Sequence, residues 1–400
     1  MRFAHLADCH VGSWRDPKLN NISTEAFIKA VDLAVEKNVS FILISGDLFN
    51  TSLPGIDKLK EVTKKLKELR DKDIPCYLIA GSHDFSPSGK TMLDVLENAG
   101  LCINVAKGDI IDNRLRLKFT LDKKTGAKIT GLLGKKGGLE KAYYEDLIKD
   151  ELEKEDGFKI FMFHSLITEL KPKELEKADS QPLSLLPKNF NYYAGGHPHF
   201  IFSKKEENYG IIAYPGPIFP NNFSELEKLG NGGFYIYDDG NLRYEPIQIY
   251  NIHSITLDCN HKTAEEVEKE LINEIKGHEF INTIITIRLE GILESGKPSD
   301  INFKELFEKI YDKGAYFVMK NTNALVSKEF EEIKIDTETV GDIEEKIIKE
   351  HLGQKKIEDV QELELTKKLM GILSISKEEG EKVADFEKRV MENIGNVLGF

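Results

Sequence analysis

Phe41-Ile42-Leu43-Ile44-Ser45-Gly46-Asp47 decides how this chain is read: four apolar residues, then a serine, a glycine and a carboxylate. A short apolar run closed by a glycine is the mark of a strand buried on both faces. The carboxylate falls where that strand gives way to a loop. The pattern recurs along the first half of the chain. Residues 3–7 run into Asp8-Cys9-His10, residues 76–80 into Gly81-Ser82-His83-Asp84, and residues 160–163 into His164. The weaker segment Tyr192-Tyr193-Ala194 precedes Gly195-Gly196-His197-Pro198-His199. Between the early strands lie helical patterns. Residues 24–37 are amphipathic with Ser23 or Thr24 as the expected cap, and residues 58–72 carry Leu59, Val62, Leu66 and Leu69 on one face. Alternating strand and helix predicts α/β layering. The polar residues after the strands then gather at one sheet edge, where open α/β sheets bind ligands.

The residue types gathered there point to metal. Aspartate oxygens suit hard cations, and imidazole suits manganese, iron and zinc. A mixed set without a cysteine cluster favours manganese or iron over a structural zinc. Two ions roughly 3.5–4 Å apart need a bridging carboxylate, and they can clamp the attacking and leaving oxygens of a phosphoryl transfer. Asp47 is the candidate bridge. His253, His261, His278 and His351 read as ordinary core or surface residues, and His5, inside a strand, as structural.

The order D-x-H, G-D, G-x-H-D, H, G-H-x-H resembles that of the calcineurin-like metallophosphoesterases. The flanking text, His5-Leu6-Ala7-Asp8-Cys9-His10-Val11-Gly12, Ser45-Gly46-Asp47-Leu48-Phe49 and Tyr214-Pro215-Gly216-Pro217 ahead of Gly232-Gly233-Phe234, is similar to the SbcD-like double-strand-break repair nucleases. The resemblance implies a layered metallophosphoesterase core over residues 1–250, an α+β capping domain over 251–335, and a charged linker with a C-terminal helical hairpin over 336–400. It implies one ion held by Asp8, His10, Asp47 and His199. The second would be held by Asp47, the third-motif residue, His164 and His197. His83 would donate to a non-bridging or leaving oxygen, with Asp84 orienting it. One position departs from the pattern: the family has asparagine where this chain has Ser82. A serine hydroxyl is shorter than an amide oxygen and a poorer ligand, so weaker binding of the second ion is expected.

The reading that follows is a nuclease using two divalent metals, manganese favoured, on DNA ends, hairpins and single strands. The resemblance also implies a homodimer and an ABC-type coiled-coil ATPase bound through the C-terminal helices. Two other readings stand beside it. A catalytically weak scaffold that binds DNA ends and recruits the ATPase is suggested by Ser82 alone. A phosphatase or cyclic-nucleotide phosphodiesterase on the same core fits less well with a capping domain and a docking tail.

A formal net charge of −13 is unusual for a protein that handles a polyanion. Bound metals would offset several carboxylates, and the acidity is heaviest after residue 260. Arg15, Lys18, Lys135-Lys136, Lys204-Lys205 and the segment 86–90 are candidate phosphate contacts, and Trp14 either stacks on a base or packs over its loop. Cys9, Cys76, Cys102 and Cys259 are scattered without a pairing pattern, which suits a reducing cytoplasm. No signal peptide or long apolar span is visible, so a membrane is not expected.

Beyond residue 250 the sequence predicts strands at 254–257, 283–287 and 315–319 and helices at 263–276 and 301–311. Residues 360–375 and 378–397 read as two further helices, the second with Val383, Phe386, Val390 and Ile394 as an apolar stripe, joined by a turn at Ser374, Ser376 and Lys377.

Overall fold

The computed structural model describes residues 1–86, 91–135, 137, 139–328, 359–375 and 383–398. Lys136, the patch at 87–90, the charged linker at 336–358 and the turn residues Ser376 and Lys377 lie outside the described residues. The chain divides into two units: Met1–Leu257 with Leu271–Leu289 and Asn302–Thr322, and Asp258–Glu270 with Glu290–Ile301 and Asn323–Phe400.

In the first unit, β1 (Arg2–Leu6), β2 (Phe41–Ser45) and β3 (Cys76–Ile79) lie parallel, with Phe3 opposite Phe41 and Ser45 opposite Ile79. Ile103–Asn104 extends this sheet in parallel on one side. On the other side, Gly232–Asp238 pairs antiparallel with β1, and Asn241–Ile247 closes the sheet. A second six-stranded sheet holds Lys159–His164 and Tyr192–Gly196 in parallel at its centre, flanked by Lys128–Gly131 and Gly210–Tyr214. The sequence predicted β1, β2, β3, Lys159–His164 and Tyr192–Gly196; it did not foresee the strands that flank them or the division into two sheets.

Side-chain alternation explains the layering, because successive residues of a strand face opposite ways. Phe3, Phe41, Leu43, Tyr77 and Ile79 from the first sheet meet Ile160, Met162, Tyr192 and Ala194 from the second. Phe3 lies stacked between Phe41 and Tyr237, with centroids 5.0 and 4.7 Å away. The alternate residues Ala4, Leu6, Ile42, Ile44 and Leu78 face outward onto helices α1 (Pro17–Glu36) and α2 (Ile56–Asp71). Phe161, Phe163 and Tyr193 face outward from the second sheet into a third core. Strands clothed on both faces have no polar alternation to show, hence the continuous apolar runs.

The first helix begins earlier than its sequence pattern suggested. Asp16, not Ser23 or Thr24, is the N-cap: its carboxylate accepts from the Lys18 N–H at 2.8 Å, and Pro17 occupies the first turn. Ser23 and Thr24 are buried inside the helix, where the Ser23 hydroxyl donates to the Asn20 carbonyl and accepts from the Gly12 N–H. The third helix, Met92–Asn98, is held by a capping box between Thr91 and Asp94.

After residue 250, strands Asn251–Asp258, Thr283–Leu293 and Phe317–Ser327 form a three-stranded sheet, accompanied by helices Ala264–Glu274 and Phe303–Asp312. Near the end of the chain, helices Asp359–Leu373 and Val383–Leu398 pack on each other. Among the described residues, no helix is long and apolar enough to cross a membrane.

Candidate metal centre

The carboxyl ends of the central strands of both sheets converge, and the polar residues beyond them form one cluster. Past the regular ladder, the Asp8 N–H donates to the Gly46 carbonyl at 3.1 Å and the His10 N–H to the Asp47 carbonyl at 2.9 Å. These bonds lock the first two motif loops together. Asp8, His10 and Asp47 take left-handed backbone angles, with φ of 48°, 42° and 51°, and His197 has φ of 93°. Non-glycine residues seldom adopt these angles, which cluster at functional sites.

Two glycines permit the close approach. A Cβ on Gly81 would overlap the Asp47 carboxylate and backbone nitrogen, and one on Gly196 would overlap the Ser45 carbonyl. The second motif loop therefore meets the third and the fifth at backbone distance.

Asp8, His10, Asp47 and His164 are each no more than 2% exposed. Ligand atoms of Asp8, His10 and His199 lie within 4.8 Å of one another, as do those of Asp8, Asp47 and His164 and those of His10, Asp47 and His83. The Nε2 atoms of His10 and His199 are 3.1 Å apart. Two imidazoles each about 2.0–2.1 Å from one ion stand roughly 3–3.4 Å apart at ordinary coordination angles. His164 Nε2 is 3.2 Å from Asp47 Oδ2, while its Nδ1–H donates to the Ser45 carbonyl at 2.8 Å. Among the described residues, His164 Nε2 and His10 Nδ1 are buried nitrogens without a hydrogen bond. Burying such atoms unpaired is costly, and a metal ion would satisfy the His164 nitrogen. The donor set fits divalent cations of the manganese–iron–zinc group.

The electrostatics agree. Burial acts to raise Asp47, but the charge of His164 beside it outweighs this and holds the carboxyl far below its usual range. Burial acts to lower His164, yet Asp47 lifts it to about 10. Burial raises the Asp8 carboxyl to about 6 against the pull of His199 and His164. Asp47 and His164 thus attract each other as a buried ion pair, beside an Asp8 carboxyl that burial makes reluctant to ionise.

Around these residues the remaining expected site members take varied positions. The Ser82 hydroxyl donates to Asp47 Oδ2 at 3.4 Å, and the His83 N–H donates to Asp47 Oδ1 at 2.7 Å. His197 joins none of the three donor groups among the described residues; its N–H donates to Asp8 Oδ1 at 3.0 Å, and its ring lies 5.2 Å from that of His164. Asp84 differs from the expectation that it orients His83. Its carboxylate receives the N–H groups of Leu48, Phe49 and Gly81, while His83 Nδ1–H donates to the Asn50 carbonyl at 2.8 Å. Asp84 thus ties the second and third loops together, and Asn50 sets the His83 ring.

Two residues escaped the sequence reading. Glu225 accepts from His199 Nδ1–H at 2.9 Å; its only sequence signal is the Asn222-x-x-Glu225 capping pattern. Asn50 carried no signal, because it acts through its backbone. His5 is structural: it bonds the Tyr192 and Ser45 hydroxyls, and burial pushes its imidazole down to about 3.

Beside the cluster an open cavity of about 450 Å³ is lined by Ser82, His83, Lys135, Gln181, His197 and His199, with others. Lys135 Nζ donates to the Tyr143 hydroxyl at 2.7 Å and lies 4.1 Å from that ring's centroid. Of the other candidate cations, Lys204 is paired with Glu206, and Lys18 lies over the Tyr311 and Tyr316 rings. Trp14 donates to the Pro220 carbonyl at 2.9 Å and packs on the first core.

Similarity to known proteins follows the same lines. The chain is 27% identical to the DNA double-strand break repair protein Mre11 of Archaeoglobus fulgidus, over 98% of this chain and 88% of that protein. It is 26% identical to the Mre11 of Methanococcus maripaludis (90% and 92% covered) and 28% to that of Methanocaldococcus jannaschii (88% and 89%). These relatives agree with the resemblance carried by the five motifs. Residues 1–200, which hold every residue of the cluster except Glu225, match the family described as calcineurin-like phosphoesterase, and the chain belongs to that family.

Proposed function

We propose that the chain is a two-metal DNA nuclease that hydrolyses phosphodiesters at DNA ends during double-strand-break repair. The observation that carries this reading is the convergence of Asp8, His10, Asp47, His164 and His199 into one buried donor cluster, with His199 on the wall of the adjoining open cavity. The name and whole-length similarity of the archaeal relatives support DNA as the substrate.

In this reading Asp8, His10, Asp47 and His199 hold one ion, and Asp47, Ser82, His164 and His197 the other, with manganese as the working metal. Bound there, the ions would supply Lewis acidity at phosphorus and a clamp on the attacking and leaving oxygens. The protein's own contribution is positional. Ser82 and the His83 N–H fix the Asp47 carboxylate, and the Ser45 carbonyl fixes the tautomer of His164. His83, donating from Nδ1 to Asn50, presents its other nitrogen to hold a proton against a phosphate or leaving oxygen. Lys135, on the cavity wall, offers a cation to the backbone of the strand.

The same reading makes residues 251–335 a cap that restricts how DNA enters. It makes helices Asp359–Leu373 and Val383–Leu398 the seat of an ABC-type coiled-coil ATPase, with the chain acting as a homodimer. The test is cleavage of end-labelled linear and hairpin DNA with manganese, magnesium or chelator, with His199→Ala as the blank. Manganese-dependent cutting that disappears in the blank is expected. DNA binding without cutting in the parent chain, with or without the ATPase, would overturn the nuclease reading and leave an end-binding scaffold.

A further inference from the structure

His199 is the most exposed of the candidate imidazole ligands that enter the donor groups with Asp8, its side chain 23% exposed where that of His164 is fully buried. Surface packing alone holds such a ring loosely, so its orientation depends on what its second nitrogen bonds. That partner is Glu225, whose Oε1 lies 2.9 Å from His199 Nδ1. An ionised carboxylate only accepts, so Nδ1 carries the proton, and the lone pair of His199 sits on Nε2. Nε2 is the atom 3.1 Å from His10 Nε2 and 3.9 Å from Asp8 Oδ1.

Glu225 is itself held firmly. Its Oε2 receives the Asn221 N–H at 2.7 Å and its Oε1 the Asn222 amide at 2.6 Å, while its own N–H donates to Asn222 Oδ1 at 3.0 Å. It occupies the third position of helix Phe223–Leu229, the place where a capping-box glutamate turns back to the helix start. Two residues on, Glu227 is gripped by the Arg288 guanidinium, with Nε 3.0 Å from both carboxylate oxygens. A short helix would fray if left to itself; capped at one end and clamped through Glu227, it carries a rigidly placed carboxylate.

We infer that Glu225 is a positioning residue of the metal centre: it fixes His199 in the Nδ1–H tautomer and aims Nε2 at the ion shared with Asp8 and His10. This rests on the metal-centre reading above and adds a residue outside the five motifs. Carboxylates hydrogen-bonded to metal-bound histidines raise ligand basicity and fix ring orientation, and their loss costs roughly 10–100-fold in metal affinity.

The test uses the full-length chain and manganese(II) alone, with bound and free ion distinguished by electron paramagnetic resonance. Glu225→Ala is expected to weaken the tighter manganese site roughly 10–100-fold, and Glu225→Gln, which keeps an acceptor for His199, to weaken it less. Histidine ¹⁵N spectra of the metal-free protein, with the His199 signals assigned through His199→Ala, give a second readout. They should show the Nδ1–H tautomer in the parent and its loss in Glu225→Ala. Asn222→Ala breaks the helix cap and removes one donor to Glu225 but leaves the carboxylate with the Asn221 N–H and His199, and should retain that tautomer. If Glu225→Ala keeps both parental affinity and tautomer, the inference falls while the metal centre stands. If Asn222→Ala loses both as fully as Glu225→Ala, helix stability rather than the carboxylate is responsible, and the inference also falls. A parent chain that binds no manganese overturns the metal centre itself and this inference with it.

Discussion

Asp84→Ala separates a structural staple from a partner in the chemistry. Both Asp84 oxygens are committed to backbone: Oδ2 receives the N–H of Leu48 and of Gly81 at 3.1 Å, and Oδ1 that of Phe49 at 3.0 Å. The residue is 2% exposed, so its removal leaves three donors with little access to water. Each buried donor left unsatisfied costs about 1–3 kcal/mol, a gross loss near 6 kcal/mol for three. A gain opposes this. Burial, reinforced by the charge of Asp47, raises the Asp84 carboxyl from 3.8 to about 6. A carboxyl raised in this way is penalised for being ionised above that value, and at about 1.4 kcal/mol per pH unit the variant is relieved of roughly 3 kcal/mol at pH 8. The remainder is a loss of about 3 kcal/mol, a large part of the 5–15 kcal/mol typical of a folded protein.

The assay is urea unfolding of the metal-free chain at pH 8, where the midpoint should fall with little change in slope. Repeating it at pH 5 checks the sign: the parent recovers part of the ionisation penalty as pH falls through 6, the variant does not, and the gap should widen. Asp84→Asn keeps the shape but turns an amide N–H toward a backbone donor, so it should lose about 1–3 kcal/mol. The reasoning is refuted if either variant unfolds like the parent while DNA cleavage collapses, which would place Asp84 in the chemistry beside His83.

Three further outcomes follow from the same geometry. Because Asp47 holds a proton on His164 up to about 10, manganese binding at pH 8 should release about one proton per chain. Calorimetry in buffers of different ionisation enthalpy measures this, and a binding heat independent of buffer would contradict it. Gly81→Ala drives a Cβ into Asp47 and should weaken manganese binding at least roughly tenfold and lower stability by about 1–3 kcal/mol; parental affinity would show that the loops can separate. Ser82→Asn places a longer amide acceptor beside Asp47 and should strengthen the weaker manganese site roughly tenfold by spin counting, whereas unchanged affinity would place this position outside the ligand shell.

The parts of this molecule that were legible in its sequence share a physical cause. β2 and the strand Lys159–His164 are covered on both faces, so their apolar runs are unbroken, and that of β1 is interrupted only by His5; each leads within two residues to a polar residue of the site. Burial does not say which sheet a strand joins. Residues 41–44 and 160–163 are equally apolar, and only long-range pairing, such as Gly196 opposite His164, sorts them. The start of α1 could have been read: Asp16-Pro17 is a cap followed by a first-turn proline, and Leu19 and Ile22 continue the buried stripe of Ala26 and Ala30. Glu225 could not, because a capping glutamate looks the same whether or not a histidine lies above it. Asp84 misleads for a related reason: adjacency to His83 suggests a pair, but the turn sends the two side chains apart, one to backbone N–H groups and the other to Asn50.

The sharpest mismatch between local preference and structure is also the most informative. Asp8, His10, Asp47 and His197 hold left-handed backbone angles that cost of order 1 kcal/mol or more each, where glycine or asparagine would sit more easily. The ladder bonds from Asp8 and His10 to the second loop, the His197 N–H on Asp8 and the three N–H groups gathered by Asp84 over-determine these conformations. The candidate ligands are therefore held in place by bonds within the protein. The strain is carried by the two-sheet scaffold, whose strand ends and loop bonds fix the backbone on which the candidate ligands stand.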